Sequence, residues 1–167
     1  MYEITLTNPG AEAGDTSGWT DENGGMAVRE ANPLPHSGNY YFSGGANPFT
    51  RSSQRVNLET TTGLSGSEID ASPMWASVRW WQASYSNADN DTAGLGIRLL
   101  DGSETNIAES IGPLLNLNLP QTWFPRNHPV TILQGSREAD LLYDSVRFDG
   151  TNLDGYVDDI TLTIYRQ

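Results

Sequence analysis

The chain is predicted to be an all-β sandwich of jelly-roll type, built from eight or nine short antiparallel strands. Three observations predict it. Apolar and polar residues alternate in short runs, the period of a strand with one buried face. Turn formers separate those runs, with 17 Gly, 9 Pro and abundant Ser, Thr and Asn. No run keeps a helical apolar period for more than a couple of turns.

The elements follow in order. Residues 2–7 alternate with Ile4 and Leu6 on one face, and Asn8-Pro9-Gly10 ends the run. Residues 26–30 form a weak strand, after which Asn32-Pro33-Leu34-Pro35 forbids regular pairing. Beyond the Ser37-Gly38 turn, residues 39–43 place Tyr40 and Phe42 together. Residues 49–58 form a strand with Val56 and Leu58 in register, and residues 60–71, with Gly63, Ser65 and Gly66, read as a loop or short edge.

The strongest signal comes next. Met74, Ala76, Val78 and Trp80 alternate against Trp75, Ser77, Arg79 and Trp81. Both faces are bulky, so both are covered or one meets a ligand. Leu95, Ile97 and Leu99 mark a strand ended by Asp101-Gly102. Residues 106–119 admit a strand or a helical turn through Ile107, Ile111, Leu114 and Leu115, although Gly112-Pro113 rules against a long helix. Residues 123–133 and 141–148 are strands. Residues 156–165 close the chain, with Ile160, Leu162 and Ile164 inward and Asp159, Thr161 and Thr163 outward. With no repeat, linker or composition break, residues 1–167 read as one domain.

Composition narrows the function classes. Twenty-one acids against 9 basic residues give a net charge of −12. That balance repels phosphate backbones and anionic membrane surfaces, so neither nucleic acid nor membrane insertion is expected. It suits a neutral ligand, a divalent cation or a basic partner, or serves solubility alone. The absence of Cys removes disulfides and thiolate metal sites. The opening Met1-Tyr2-Glu3-Ile4-Thr5-Leu6 lacks the basic and apolar regions of a signal peptide, and no apolar run is long enough to span a bilayer.

Three motifs carry a resemblance. The stretch from Asn8-Pro9-Gly10-Ala11-Glu12 to Gly18-Trp19 resembles the opening of many jelly-roll carbohydrate-binding modules. His36-Ser37-Gly38-Asn39-Tyr40-Tyr41 looks like their second marker, and Tyr156-Val157-Asp158-Asp159-Ile160-Thr161-Leu162 like their last strand. A further likeness is to the galactose-binding-like sandwich of F-box-associated glycan-recognition domains. It runs through Ser53-Gln54-Arg55-Val56-Asn57-Leu58, Trp80-Trp81 and Ser145-Val146-Arg147-Phe148. Here Asn152-Leu153-Asp154-Gly155 replaces their aromatic glycan loop.

The resemblance to the modules implies a structural calcium held by Glu12 and Asp158 with backbone carbonyls, since calcium takes six to eight oxygens from flexible loops. By strand parity Asp158 shares the side of Ile160 and Leu162, where a carboxylate is costly unless paired or metal-bound. A turn cap at Glu12 and a solvated strand end at Asp158 stand as the alternative. The resemblance also implies glycan binding. Sugar rings stack on flat side chains, and Trp75 and Trp81 share a face with Arg79. Tyr85 is expected to extend this platform, and Arg98 to lie on the neighbouring strand. Against this stands packing of the tryptophans under a loop or a partner protein. Trp19 and Trp80 are assigned to the core, and Trp123 to the start of a strand.

No catalytic constellation emerges. His36 and His128 lie far apart without metal-binding spacing, and there is neither a nucleophile elbow nor a phosphate loop. The expectation is a non-enzymatic module that attaches a bacteriophage virion to host surface glycans. The alternative is a structural virion protein of tail, baseplate or capsid decoration that binds other virion proteins, with self-association open. A small glycoside-active enzyme ranks below both.

Overall fold

The computed structural model describes residues 1–85, 91–114 and 121–167. Among these, eleven strands form two antiparallel sheets. The first runs β3 (Ala27–Arg29), β4 (Tyr41–Ser43), β11 (Gly155–Arg166), β6 (Met74–Ser84) and β9 (Phe124–Ile132), with β1 (Tyr2–Ile4) also paired to β11. The second runs β2 (Thr20–Asn23), β5 (Phe49–Asn57), β10 (Glu138–Val146), β7 (Thr92–Leu100) and β8 (Asn106–Ile111). This is the all-β sandwich that the alternation predicts, with eleven strands in place of eight or nine.

The core lies between the sheets and is assembled by parity. Ala76, Val78 and Trp80 from β6 share one buried cluster with Leu95, Ile97 and Leu99 from β7 and Leu141 and Tyr143 from β10. Trp80 is buried there as expected. Trp19 is half-buried against the same core, edge-on to Phe42 at 5.6 Å. Trp123 precedes β9, where its Nε1 donates to the Leu34 carbonyl at 2.8 Å and its ring meets Tyr41 edge-on at 5.5 Å.

Three local expectations change. Residues 60–71 are not one loop or edge: two short helices, α1 (Leu58–Thr62) and α2 (Gly66–Ala71), take up most of them, and residues 63–65 link the two. The Asn57 side chain caps α1, Gly63 ends it in the left-handed region at φ 70°, and Ser65 with Glu68 forms a capping box on α2. Residues 106–111 settle as strand β8, while Leu115, and with it residues 115–120, lies outside the described residues. Strand β2 carries Thr-Asp-Glu-Asn, all exposed, so an apolar alternation had nothing to register there.

The last strand needs a larger correction. Its register against β6 shifts between Asp158 and Thr161, and Asp159 sits at φ 49°. Before this bulge Val157 belongs to the core; after it Ile160 and Leu162 do. A bulge inserts an extra residue and resets the alternation. Asp158 therefore stands opposite Trp81, on the sheet's outer face, and not on the side of Ile160 and Leu162. It is nonetheless fully buried, because a loop covers it.

Close packing also fixes the floor of the second sheet. A Cβ added to Gly96 would lie 2.5 Å from the Ser110 carbonyl oxygen and 2.7 Å from the Ile111 Cα. Both obstacles are backbone, so the strands themselves would have to part. Gly96→Ala is expected to destabilise the fold by about 1–3 kcal/mol, the usual cost of overpacking. Urea unfolding checks this, and an unchanged midpoint would contradict the packing described.

Candidate functional site

The outer face of the first sheet carries the aromatic strip that the alternation of β6 predicts. At one end, Trp75 stands opposite Tyr165 of β11, and the rings stack at 5.2 Å with 6° between their planes. Beside them opens a cleft of about 440 Å³, whose largely apolar wall includes Pro73, Pro129, Val130 and Ile132. At the other end, Trp81 is half-buried and stacks on His36, with centroids 3.7 Å apart and planes 16° apart. The two tryptophans are six positions apart, hence roughly 20 Å along the strand at ~3.3 Å per residue.

Polar groups fill the interval. Ser77 Oγ donates to Asn127 Oδ1 of β9 at 2.6 Å. Arg79, opposite Thr161 and Asn127, is exposed and borders a cleft of about 510 Å³ that Glu3, Thr5, Thr161 and Thr163 also line. Apolar edges with hydroxyls and a guanidinium between them form a surface able to stack flat C–H faces and bond their hydroxyl groups.

The structure thus brings Trp75, Arg79 and Trp81 together on one face. Tyr85 is exposed but lies past the end of β6, against a separate cleft with Arg29, Asn32, Asn152 and Asp154. Arg98 is not on a neighbouring strand: β6 is flanked by β11 and β9, whereas Arg98 belongs to β7 in the other sheet. The chain crosses between sheets after β6 instead of turning back as a hairpin. Arg98 is held there by Glu22 at 2.5 Å and by Asp140 at 2.6 Å. Arg51 and Arg55 join it in ion pairs with Asp144 and Asp140 across the same face, and all three guanidiniums are stabilised in their charged form.

Two contributors escaped sequence reasoning. Tyr165 falls on the outward parity of Thr161 and Thr163, so the alternation held its signal. His36 had none, because its stacking on Trp81 depends on how a proline-rich loop folds back.

That loop, residues 36–40, is gripped by two carboxylates from opposite ends of the chain. Glu12 accepts from the Asn39 amide at 3.0 Å and the Tyr40 amide at 3.1 Å. Asp158 Oδ2 accepts from the amides of His36 at 2.9 Å and Ser37 at 3.3 Å, and its Oδ1 from the Asp159 amide at 2.8 Å. Asp159 holds the side chains, accepting from Ser37 Oγ at 2.6 Å and lying 2.6 Å from His36 Nδ1. Glycines make the room. Gly38 is at φ 61°, and a Cβ on it would strike the Glu12 carboxylate at 2.3 Å.

Burial and the neighbouring Asp159 push the Asp158 carboxyl up to about 6. Asp158 makes no ion pair among the described residues, so the amides alone offset its charge. The side chains that could hold a cation here are Asp158 and Glu12, whose carboxylates face the same loop. Among the described residues no three acidic or histidine side chains cluster closely enough to hold a metal, so such an ion would draw its remaining oxygens from main-chain carbonyls. The histidines do not form a joint site: His36 stacks on Trp81, and His128 bonds Ser110 Oγ at 3.0 Å, with burial holding its imidazole below the ordinary range.

No family model matches the chain, and no curated protein matches it in sequence. Its likeness is to solved structures. The enzymatically active domain of bacteriophage CBA120 tailspike protein 4 aligns at a TM-score of 0.63 and 14% identity, over 96% of this chain and 21% of that one. This chain therefore spans about a fifth of the tailspike structure. A family 16 carbohydrate-binding module aligns at 0.59 and 18% identity, over 96% and 99% of the two chains. A family 61 module, solved in complex with β-1,4-galactotriose, aligns at 0.56 and 17% identity, over 97% of each. The fold is the jelly roll of carbohydrate-binding modules. Its presence in a phage tailspike as well leaves the task of this chain to be argued from its own surface.

The grip on the loop makes a direct prediction. Glu12→Ala should speed hydrogen exchange at the Asn39 and Tyr40 amides and cost about 1.5–3 kcal/mol, the range for hydrogen bonds to a charged group. Unchanged exchange at both amides would show that the carboxylate does not hold them.

Proposed function

We propose that this domain is a non-catalytic glycan-binding module, and that its binding face is the outer surface of the first sheet. The observation that carries the reading is the linear order on β6, with Trp75 and Trp81 at the ends of a strip and exposed Arg79 between them. Stacking at two points and polar contacts between them suit an extended oligosaccharide lying along the strand. The reading assigns this binding to attachment of a bacteriophage particle to glycans of its host surface; the fold shared with a phage tailspike domain supports that setting. A glycan array with the wild-type protein tests it. Trp75→Ala and Trp81→Ala should each weaken retention by about tenfold, equivalent to ~1.4 kcal/mol. Retention unchanged in both variants would remove the strip from the site, and glycan hydrolysis by the wild type would make it an enzyme.

A second reading has its own support. One face of each tryptophan is already covered, by Tyr165 and by His36, and the cleft beside Trp75 has a largely apolar wall. Such a cleft suits an apolar side chain of another virion protein in a tail, baseplate or capsid decoration. Co-purification with virion proteins that Trp75→Ala abolishes, without any glycan retention, would favour this reading over the first.

We further propose a structural calcium, with Glu12 and Asp158 as its side-chain ligands and backbone carbonyls completing the set. The ion would neutralise the buried Asp158 and fasten both chain ends to the 36–40 loop. A ligand that binds only the folded state adds RT ln(1 + [L]/Kd), about 2.7 kcal/mol at a hundredfold excess over Kd. For a domain of this size that corresponds to a melting temperature higher by roughly 5–10 °C in calcium than in chelator. Asp158→Asn should abolish the difference. Equal melting in calcium and chelator would eliminate the site.

A further inference from the structure

The chain contains 9 basic residues, all of them arginines. Arg29, Arg51, Arg55, Arg98 and Arg137 are ion-paired. Arg126, Arg147 and Arg166 donate to uncharged oxygens of side chains or backbone. Arg79 alone, among the described residues, has neither an ion-pair nor a hydrogen-bond partner, although 21 acids surround the basic set. It stands exposed at a cleft lined by the hydroxyl residues Thr5, Thr161 and Thr163, on the face already assigned to glycan. Glu3 lines the same cleft but forms no salt bridge with it.

An uncommitted guanidinium on a binding face is a recognition element. Its planar fork donates two parallel hydrogen bonds to a carboxylate, a geometry that neither a lone ammonium nor an amide reproduces. The surrounding charge limits how many carboxylates a ligand bears. Glu3 lies across the cleft, and Asp159 lies against His36, which stacks on Trp81 at the end of the strip. Charges within about 8 Å are little screened at physiological ionic strength, so successive anionic sugars along the strip would meet these acids. One carboxylate at Arg79 is favoured, and a continuous polyanion is not.

We propose that Arg79 reads a carboxylate, and that the ligand is a mostly neutral glycan with isolated uronate substituents. This rests on the glycan reading above and adds the chemical class of its ligand. The test uses two probes, a xylo-oligosaccharide bearing a single glucuronate and a β-1,4-galacto-oligosaccharide ending in a single galacturonate, each beside its carboxyl-reduced counterpart. Titration calorimetry on the whole chain is expected to show at least one acidic probe binding about tenfold or more tighter than its reduced form. Arg79→Gln should bring that ratio close to one, whatever affinity remains for the reduced form. Arg79→Lys, which keeps the charge and loses the fork, should fall between the two. Melting curves establish that these exposed-site variants fold. Equal affinity of the wild type for acidic and reduced probes, or a preference that survives Arg79→Gln, overturns the proposal and leaves the glycan reading standing. Absence of binding to all four probes, with no retention on the array, overturns both.

Discussion

The pairing of β6 with β11 is the constraint on which the rest of the molecule depends. It runs from Met74 opposite Arg166 to Ser84 opposite Gly155, and together with β9 on its far side it places Trp75, Arg79, Trp81 and Tyr165. The interruption between Asp158 and Thr161 matters as much as the regular part. An uninterrupted ladder would send Asp158 and Ile160 to the same side. The extra residue lets Ile160 enter the core while Asp158 turns outward beneath the 36–40 loop. The polar grip on that loop and the apolar core thus share one strand without competing for a face.

The two sheets use their outer faces in different ways. On the second sheet, Arg51, Arg55 and Arg98 are engaged by Asp144, Asp140 and Glu22, so its charges are spent on one another. On the first sheet the aromatics are partly covered, and the central arginine has no ion-pair or side-chain hydrogen-bond partner among the described residues. Binding capacity follows from unspent interactions more than from the number of charged groups, which is why the less charged face is the better candidate.

Much of this was legible in the sequence, and the rest was hidden for identifiable reasons. The alternation of β6 exposed both the core residues Val78 and Trp80 and the outward trio of Trp75, Arg79 and Trp81, because parity is local. The meeting of Glu12 and Asp158 at one loop was legible through the resemblance of the motifs around them. Parity failed at Asp158 because a bulge leaves no composition signature. It failed at Arg98 because sequence neighbours are not sheet neighbours when the chain crosses the sandwich. The helices were partly legible: Ser65 and Glu68 have capping-box spacing, but the nearby glycines pointed to a loop.

The prolines of β9 have a bearing on how copies of this domain can sit side by side. Among the described residues β9 is the last strand of the first sheet, and Pro125 and Pro129 stand in it opposite Trp81 and Ser77. Proline brings no amide hydrogen, so this rim offers an incoming strand an interrupted row of donors. Continuous sheets that run from one molecule into the next are therefore disfavoured along that border. A copy docking through other surfaces would leave the aromatic strip beside that border uncovered by strand pairing.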